Sequence, residues 1–173
     1  MQTPVLRFGL IGGAALAAMM AATVPFAATI GFDRGAIVGY ATMVLAFLMV
    51  YFGVRSYRDT VAGGTLTFGR AVTVGLLISV VITLCYVVAW QVIYYGFMPD
   101  FLEKYSAYAL DKARQSGATE AELAQQARDF ADFAVMYSNP LVNVAFTFLE
   151  PLPVGLVFTL VTAGLLRRKP GGR

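Results

Sequence analysis

Four long apolar runs dominate the chain, and none of them alternates with a period of two. They are Phe8 to Ile30, Ala36 to Val54, Ala71 to Phe97, and Leu141 to Leu166. Each comes close to the roughly 20 residues that an α-helix needs to cross a bilayer's hydrocarbon core. A span in lipid must satisfy its own backbone hydrogen bonds, so runs of this length without strand periodicity predict helices and not a membrane barrel. At 58% hydrophobic and 13% charged, the chain also lacks the polar residues to cover a soluble globule of 173 residues. The expected fold class is therefore all-α: a single membrane domain over 1–173, an integral bundle of four transmembrane helices. A competing reading of the first run is a cleavable secretory signal, since it follows Arg7 and ends in small residues.

Basic residues set the expected threading. Arg7 lies before the first span, Arg55, Arg58 and Arg70 lie in the second loop, and Arg167, Arg168, Lys169 and Arg173 follow the fourth. The first loop holds only Arg34, beside Asp33, and the connection Met98 to Pro140 is net acidic. Both termini are then expected in the cytoplasm, with residues 98–140 on the other side. The formal net charge of +3 reflects these anchors and does not suggest nucleic acid.

That third connection carries helical patterns of its own. Phe101, Tyr105, Tyr108 and Lys112 recur at helical spacing up to a stop at Gly117. Thr119 and Glu122 form a capping box before a second helix with Leu123, Ala127, Phe130, Ala134 and Tyr137 on one face. "SNP" at Ser138 to Pro140 restarts the chain into the last span. Residues 98–140 thus read as a helical extracytoplasmic loop, either a lid on the bundle or a docking surface for a protein partner. In the first span Gly9, Gly13, Ala17 and Ala21 form a small-residue stripe, for packing within the chain or for a homo-oligomer face. The arginines Arg55, Arg58 and Arg70 read as topology anchors, with a lipid headgroup or phosphate site as the alternative.

The fourth run contains Glu150, followed by Pro151 and Pro153. Nine residues past Leu141, it lies about 13 Å into the bilayer. A charge at that depth is costly, so the side chain is expected to turn inward and to be a neutral, hydrogen-bonded acid. Candidate partners at similar depth are Tyr86 and Gln91, Tyr40, Thr23 and Asn143. Pro151 is expected to push Glu150 out of helical geometry, and the two prolines free carbonyls near Thr147 and Leu149. The group reads as an acid that pins a kink, as a site of proton or cation coupling, or as a polar recognition point.

Catalysis finds little to work with. The chain has no histidine and one cysteine, Cys85, and no two carboxylates share a helix face within the spans. No metal site and no cofactor are expected. The function expected is that of a non-enzymatic structural or accessory membrane protein, with a small oligomeric transporter using Glu150 as the alternative. A binder of anionic lipid headgroups through Arg55, Arg58 and Arg70 is the third possibility.

The segments "YFGVRSYRD", "GG" followed by "TFGRA", "YYGFMPDF" and "NPLVNVAFTFLEPLPVGL", with the basic tail after them, together resemble the proteins grouped as domain of unknown function 4199. The resemblance runs from the first span to the C-terminal arginines. It implies a four-span bacterial inner-membrane protein with an uncleaved N-terminus, and it brings no catalytic residue. Positions matching its recurring motifs are Arg55, Arg58, Asp59, Gly64, Phe68, Gly69, Asn139, Pro140, Glu150, Pro153 and Gly155.

Overall fold

The computed structural model describes residues 2–168, apart from the side chain of Ala28. Lys169 and Arg173 of the basic tail lie outside the described residues. The elements, in chain order, are α1 (Gln2–Thr23), a 3₁₀ turn (Val24–Phe26), α2 (Ala27–Thr60), α3 (Phe68–Gly96), α4 (Phe101–Gln115), α5 (Glu120–Tyr137), α6 (Pro140–Leu149) and α7 (Leu152–Leu166). Four stretches are long and apolar enough to cross a membrane: α1 with its 3₁₀ turn, α2, α3, and α6 with α7.

The helix ends differ from the apolar runs in instructive ways. A first loop is expected near residues 31–35, and the sharp break in helical backbone falls at its start; the 3₁₀ turn at Val24–Phe26, where Pro25 has no N–H, precedes it. Gly31 then interrupts α2 with φ 73° and ψ 167°, a conformation that a side chain would strain. At the other end α2 outruns its apolar segment and continues to Thr60, because its backbone pairing is not broken until the turn through Gly63–Gly64. Thr67 caps α3, its side chain accepting from the backbone N–H of Arg70.

Close helix approach involves several glycines, three of them on α1. A methyl group added at Gly9 would stand 2.6 Å from Val81 Cβ, and one at Gly13 2.5 Å from Cys85 Cβ. Gly12 faces the backbone carbonyl of Ala46 in the same way, at 2.9 Å. Three glycines therefore let α1 press on both α2 and α3, which is how small residues drive association without a hydrophobic gradient. The buried core lies mainly toward the end where α2 meets α3, with Phe47, Val50, Val54 and Tyr57 of α2 against Val74, Ile78 and Ile82 of α3. At that end Leu66 and Arg168 exchange backbone hydrogen bonds of 3.0 and 2.8 Å, tying the second loop to the end of α7.

At the opposite end α4 and α5 form a helical hairpin. The capping box at Thr119 and Glu122 is present in both directions, and Gly117 has φ +89° at the stop between the helices. Asn139 caps α6 through the N–H of Leu141, with Pro140 in the first turn. The N–H and hydroxyl of Thr119 hold the Glu122 carboxyl below its ordinary range. A depressed carboxyl stabilises above its unfolded value and loses that contribution as pH falls through its folded one. Hydrogen exchange in the first turn of α5 is therefore expected to speed up below about pH 4, beyond intrinsic chemistry, and Glu122→Ala is expected to abolish that pH dependence.

The hairpin is attached by rings. Phe32 of α2 sits 5.1 to 5.9 Å, centroid to centroid, from Phe101, Tyr105 and Tyr108 of α4. Lys112 Nζ lies 2.7 Å from Asp33 Oδ1, and Trp90 of α3 meets Phe101 edge-on at 5.1 Å. On the other flank Phe146 of α6 packs against Phe133 and Tyr137 of α5.

Candidate functional site

Ser79, Thr83, Tyr86 and Trp90 recur at three- and four-residue steps and so share one face of α3, the face turned toward α6 and α7. Their partners form a polar seam along the bundle. Near the hairpin, Trp90 Nε1 donates to Tyr137 OH at 3.0 Å, and Tyr137 OH stands 3.5 Å from Thr147 Oγ1. Thr147 Oγ1 donates to the carbonyl of Asn143 at 2.8 Å, and Gln91 Nε2 donates to Asn143 Oδ1, also at 2.8 Å. Below them, Tyr86 OH donates to Glu150 Oε2 at 2.7 Å. Deeper still, Ser79 Oγ lies 3.2 Å from Thr159 Oγ1 and donates to the Gly155 carbonyl at 3.4 Å. Thr83 Oγ1 and Asn143 Nδ2 are buried along this line with no hydrogen-bond partner.

Glu150 stands at the break between α6 and α7. Its backbone has φ −60° and ψ −49°, so the expectation that Pro151 would push it out of helical geometry is corrected. The interruption comes instead from missing donors, since Pro151 and Pro153 cannot pair with the carbonyls of Thr147 and Leu149. The N–H of Glu150 still reaches the Phe146 carbonyl at 3.2 Å, and α7 restarts with the N–H of Gly155 on Pro151.

A second expectation also needs correcting. Glu150 finds its partner in Tyr86, but it is not enclosed: the residue is exposed, while Asn143 and Thr147 on the same face of α6 are buried. The reason lies in how α2 and α7 meet. Phe47, fully buried, packs against Gly155 and stacks on Phe158 at 6.4 Å, so α2 and α7 touch at that level. Toward the hairpin, the same face of α2 carries Val44, Tyr40 and Ile37, and all three are exposed, Tyr40 by 55% and Ile37 by 69%. Among the described residues the neighbours of α6 are α3, α5 and α7, and no substantial packing joins it to α2. A wedge therefore opens between α2 and α6, with Tyr86 and Glu150 near its apex and α4 joined to α2 at its wide end.

The other residues singled out in the sequence are distributed as follows. Tyr40 is exposed on α2, on the same face as Ile37 and Val44. Gln91 and Asn143 pair with each other and not with Glu150. Thr23 is the last residue of α1, where its hydroxyl donates to the Met20 carbonyl, so it is no partner of Glu150. Arg55 and Arg58 both converge on Asp59, at 3.9 and 2.7 Å, and the Arg70 guanidinium lies over the Tyr57 ring. Gly9 and Gly13 are consumed by contact within the chain, Ala17 is half-buried and Ala21 exposed. Among the described residues, no cluster of three or more Cys, Asp or Glu could hold a metal ion.

Trp90, Tyr137, Thr147, Ser79 and Thr159 escape a reading that searches for charged or catalytic groups. The signal that finds them is helical phase, because the polar positions of α3 fall on one face. The seam offers hydroxyls, amides and one carboxyl, which can hold, align and exchange hydrogen bonds.

Comparison with curated proteins and with solved structures finds no match to this chain. The family model described as "Protein of unknown function (DUF4199)" matches residues 7–168, which reaches all four spans and takes in the whole seam. On that coverage, the chain belongs to the DUF4199 family.

Proposed function

We propose that the protein is a non-enzymatic accessory component of the bacterial inner membrane, multi-pass with both termini cytoplasmic, that presents its polar seam sideways to the bilayer. One observation carries this reading: Glu150, deep in the span, is bonded through its carboxyl to Tyr86, yet the residue remains exposed on the flank of α6. A purely architectural acid is better served by burial, since polar groups within spans are favoured when they face the bundle. The basic residues Arg7, Arg55, Arg58, Arg70 and Arg168 gather at the end opposite the α4–α5 hairpin, which supports placing that end inside.

A second reading, a proton- or cation-coupled transporter, is favoured by the continuity of the polar face of α3 from Trp90 to Ser79. Reconstitution separates the two. Vesicles containing the purified chain and a trapped pH dye are expected to lose an imposed gradient no faster than empty vesicles, and Tyr86→Phe is expected to lower stability in detergent by about 0.5–2 kcal/mol. Proton flux that vanishes in Glu150→Gln would replace the accessory reading with the transporter.

A further inference from the structure

We propose that the wedge between α2 and α6 receives a transmembrane helix of another protein, one carrying a lysine or arginine near the middle of its span, and that Glu150 is the residue it pairs with. This rests on the accessory reading and names the partner of the same seam.

The argument begins with what Glu150 still lacks. Tyr86 supplies one hydrogen bond to Oε2, and among the described residues no other side chain donates to the carboxyl. An exposed carboxyl at that depth either stays neutral or meets a donor that comes from outside the chain. Charge complementarity then narrows the class of occupant. Every lysine and arginine of this chain lies near a helix end, in loop two, in the α4–α5 hairpin or in the tail, so a second copy brings no cation to the level of Glu150. A phospholipid amine rests at the interface, about 13 Å from Glu150 along the helix axis, and would have to enter hydrocarbon to reach it. A transmembrane helix holds its cation at that depth already.

The wedge suits such an occupant in shape. Its α2 wall is an apolar helix face, Ile37, Tyr40 and Val44, with one hydroxyl among aliphatic groups, and all three are exposed. Buried polar groups paired across membrane helices specify which helices associate. The lysine or arginine gives specificity, and Ile37 and Val44 give contact area.

The test uses synthetic leucine–alanine helices of about 22 residues, fluorescently labelled, and the full chain reconstituted in phosphatidylcholine vesicles. One peptide carries a central lysine. Others have a central leucine, a central glutamate, or the lysine moved to one end. Energy transfer is expected to show the central-lysine peptide binding at least about tenfold more tightly than the central-leucine peptide. That preference should disappear in Glu150→Gln, whose fold is checked by circular dichroism, and fall in Ile37→Trp, which fills the wedge while keeping the acid.

Equal binding of all peptides overturns the proposal, and so does a preference that survives Glu150→Gln. A preference shared by the end-lysine peptide overturns it too, because attraction at the interface then explains the binding. Glu150-dependent self-association with no peptide preference assigns the wedge to a second copy instead. None of these outcomes bears on the accessory reading, which falls only to Glu150-dependent flux.

Discussion

Gly13→Leu is expected to separate α1 from α3 and to produce the largest loss of stability of any single change in the first helix. Even alanine would set its Cβ 2.5 Å from Cys85 Cβ and 2.6 Å from its sulfur, so the helices must move apart before any further atom is added. Overpacking of this kind costs about 1–3 kcal/mol, and leucine adds three more carbons in the same space. Neighbouring Gly12 blocks relief in one direction, because it already faces the Ala46 backbone carbonyl, which cannot rotate away. Thermal melting in detergent measures the loss, and Cys85, half-buried beside Gly13, reports it independently by reacting faster with a small thiol reagent. Gly39→Ala is the control: nothing lies within 4 Å of the added carbon, and the change is expected to be neutral or to stabilise by up to about 1 kcal/mol through helix propensity. Equal damage from both would show that α1 is not seated by its glycines.

Phe47→Ala is the second. Phe47 is fully buried, its ring edge against Gly155 and its face stacked on Phe158, and it marks the level at which α2 and α7 part. Truncation leaves a cavity that neither α7, held through Ser79 and Thr159 to α3, nor α2, gripped by α1, can collapse to fill. The expected cost is about 3 kcal/mol, the lower end for such a change, since lipid competes less unfavourably than water for apolar groups. Melting in detergent measures it. The same substitution should let the wedge deepen toward the cavity, so a cysteine placed at Thr159, buried in the intact protein, is expected to gain reactivity with membrane-permeant reagents. Wild-type stability in Phe47→Ala would mean that α2 and α7 are held together elsewhere.

Much of this architecture could be read from local pattern. Four apolar runs announce the spans, the Thr119 and Glu122 capping box is a rule of spacing, and Asn139 before Pro140 is a cap by residue type. The pairing of Glu150 with Tyr86 was also within reach, because depth along a helix follows from counting residues. Counting could not show that Glu150 stays exposed. That depends on α6 leaving α2, which is decided by Phe47 meeting Gly155, a contact between residues far apart in sequence that no periodicity encodes. Likewise the stripe Gly9, Gly13, Ala17 and Ala21 is real as a pattern, but Gly12, off the stripe, makes the contact with α2, since α1 touches two helices at once. The 3₁₀ turn at Val24–Phe26 was hidden by apolarity: Pro25 sits within a run whose composition does not change across it.

The break at Pro151 has a mechanical consequence. A continuous helix transmits tilt along its whole length, whereas a jointed one lets its two halves pivot separately. Here α7 is clamped by Phe47, Thr159 and the backbone pair of Leu66 with Arg168, while α6 is laced by rings to the α4–α5 hairpin. A lateral push on the hairpin would therefore swing α6 about the joint and change the gap in front of Glu150, leaving the far half of the protein at rest.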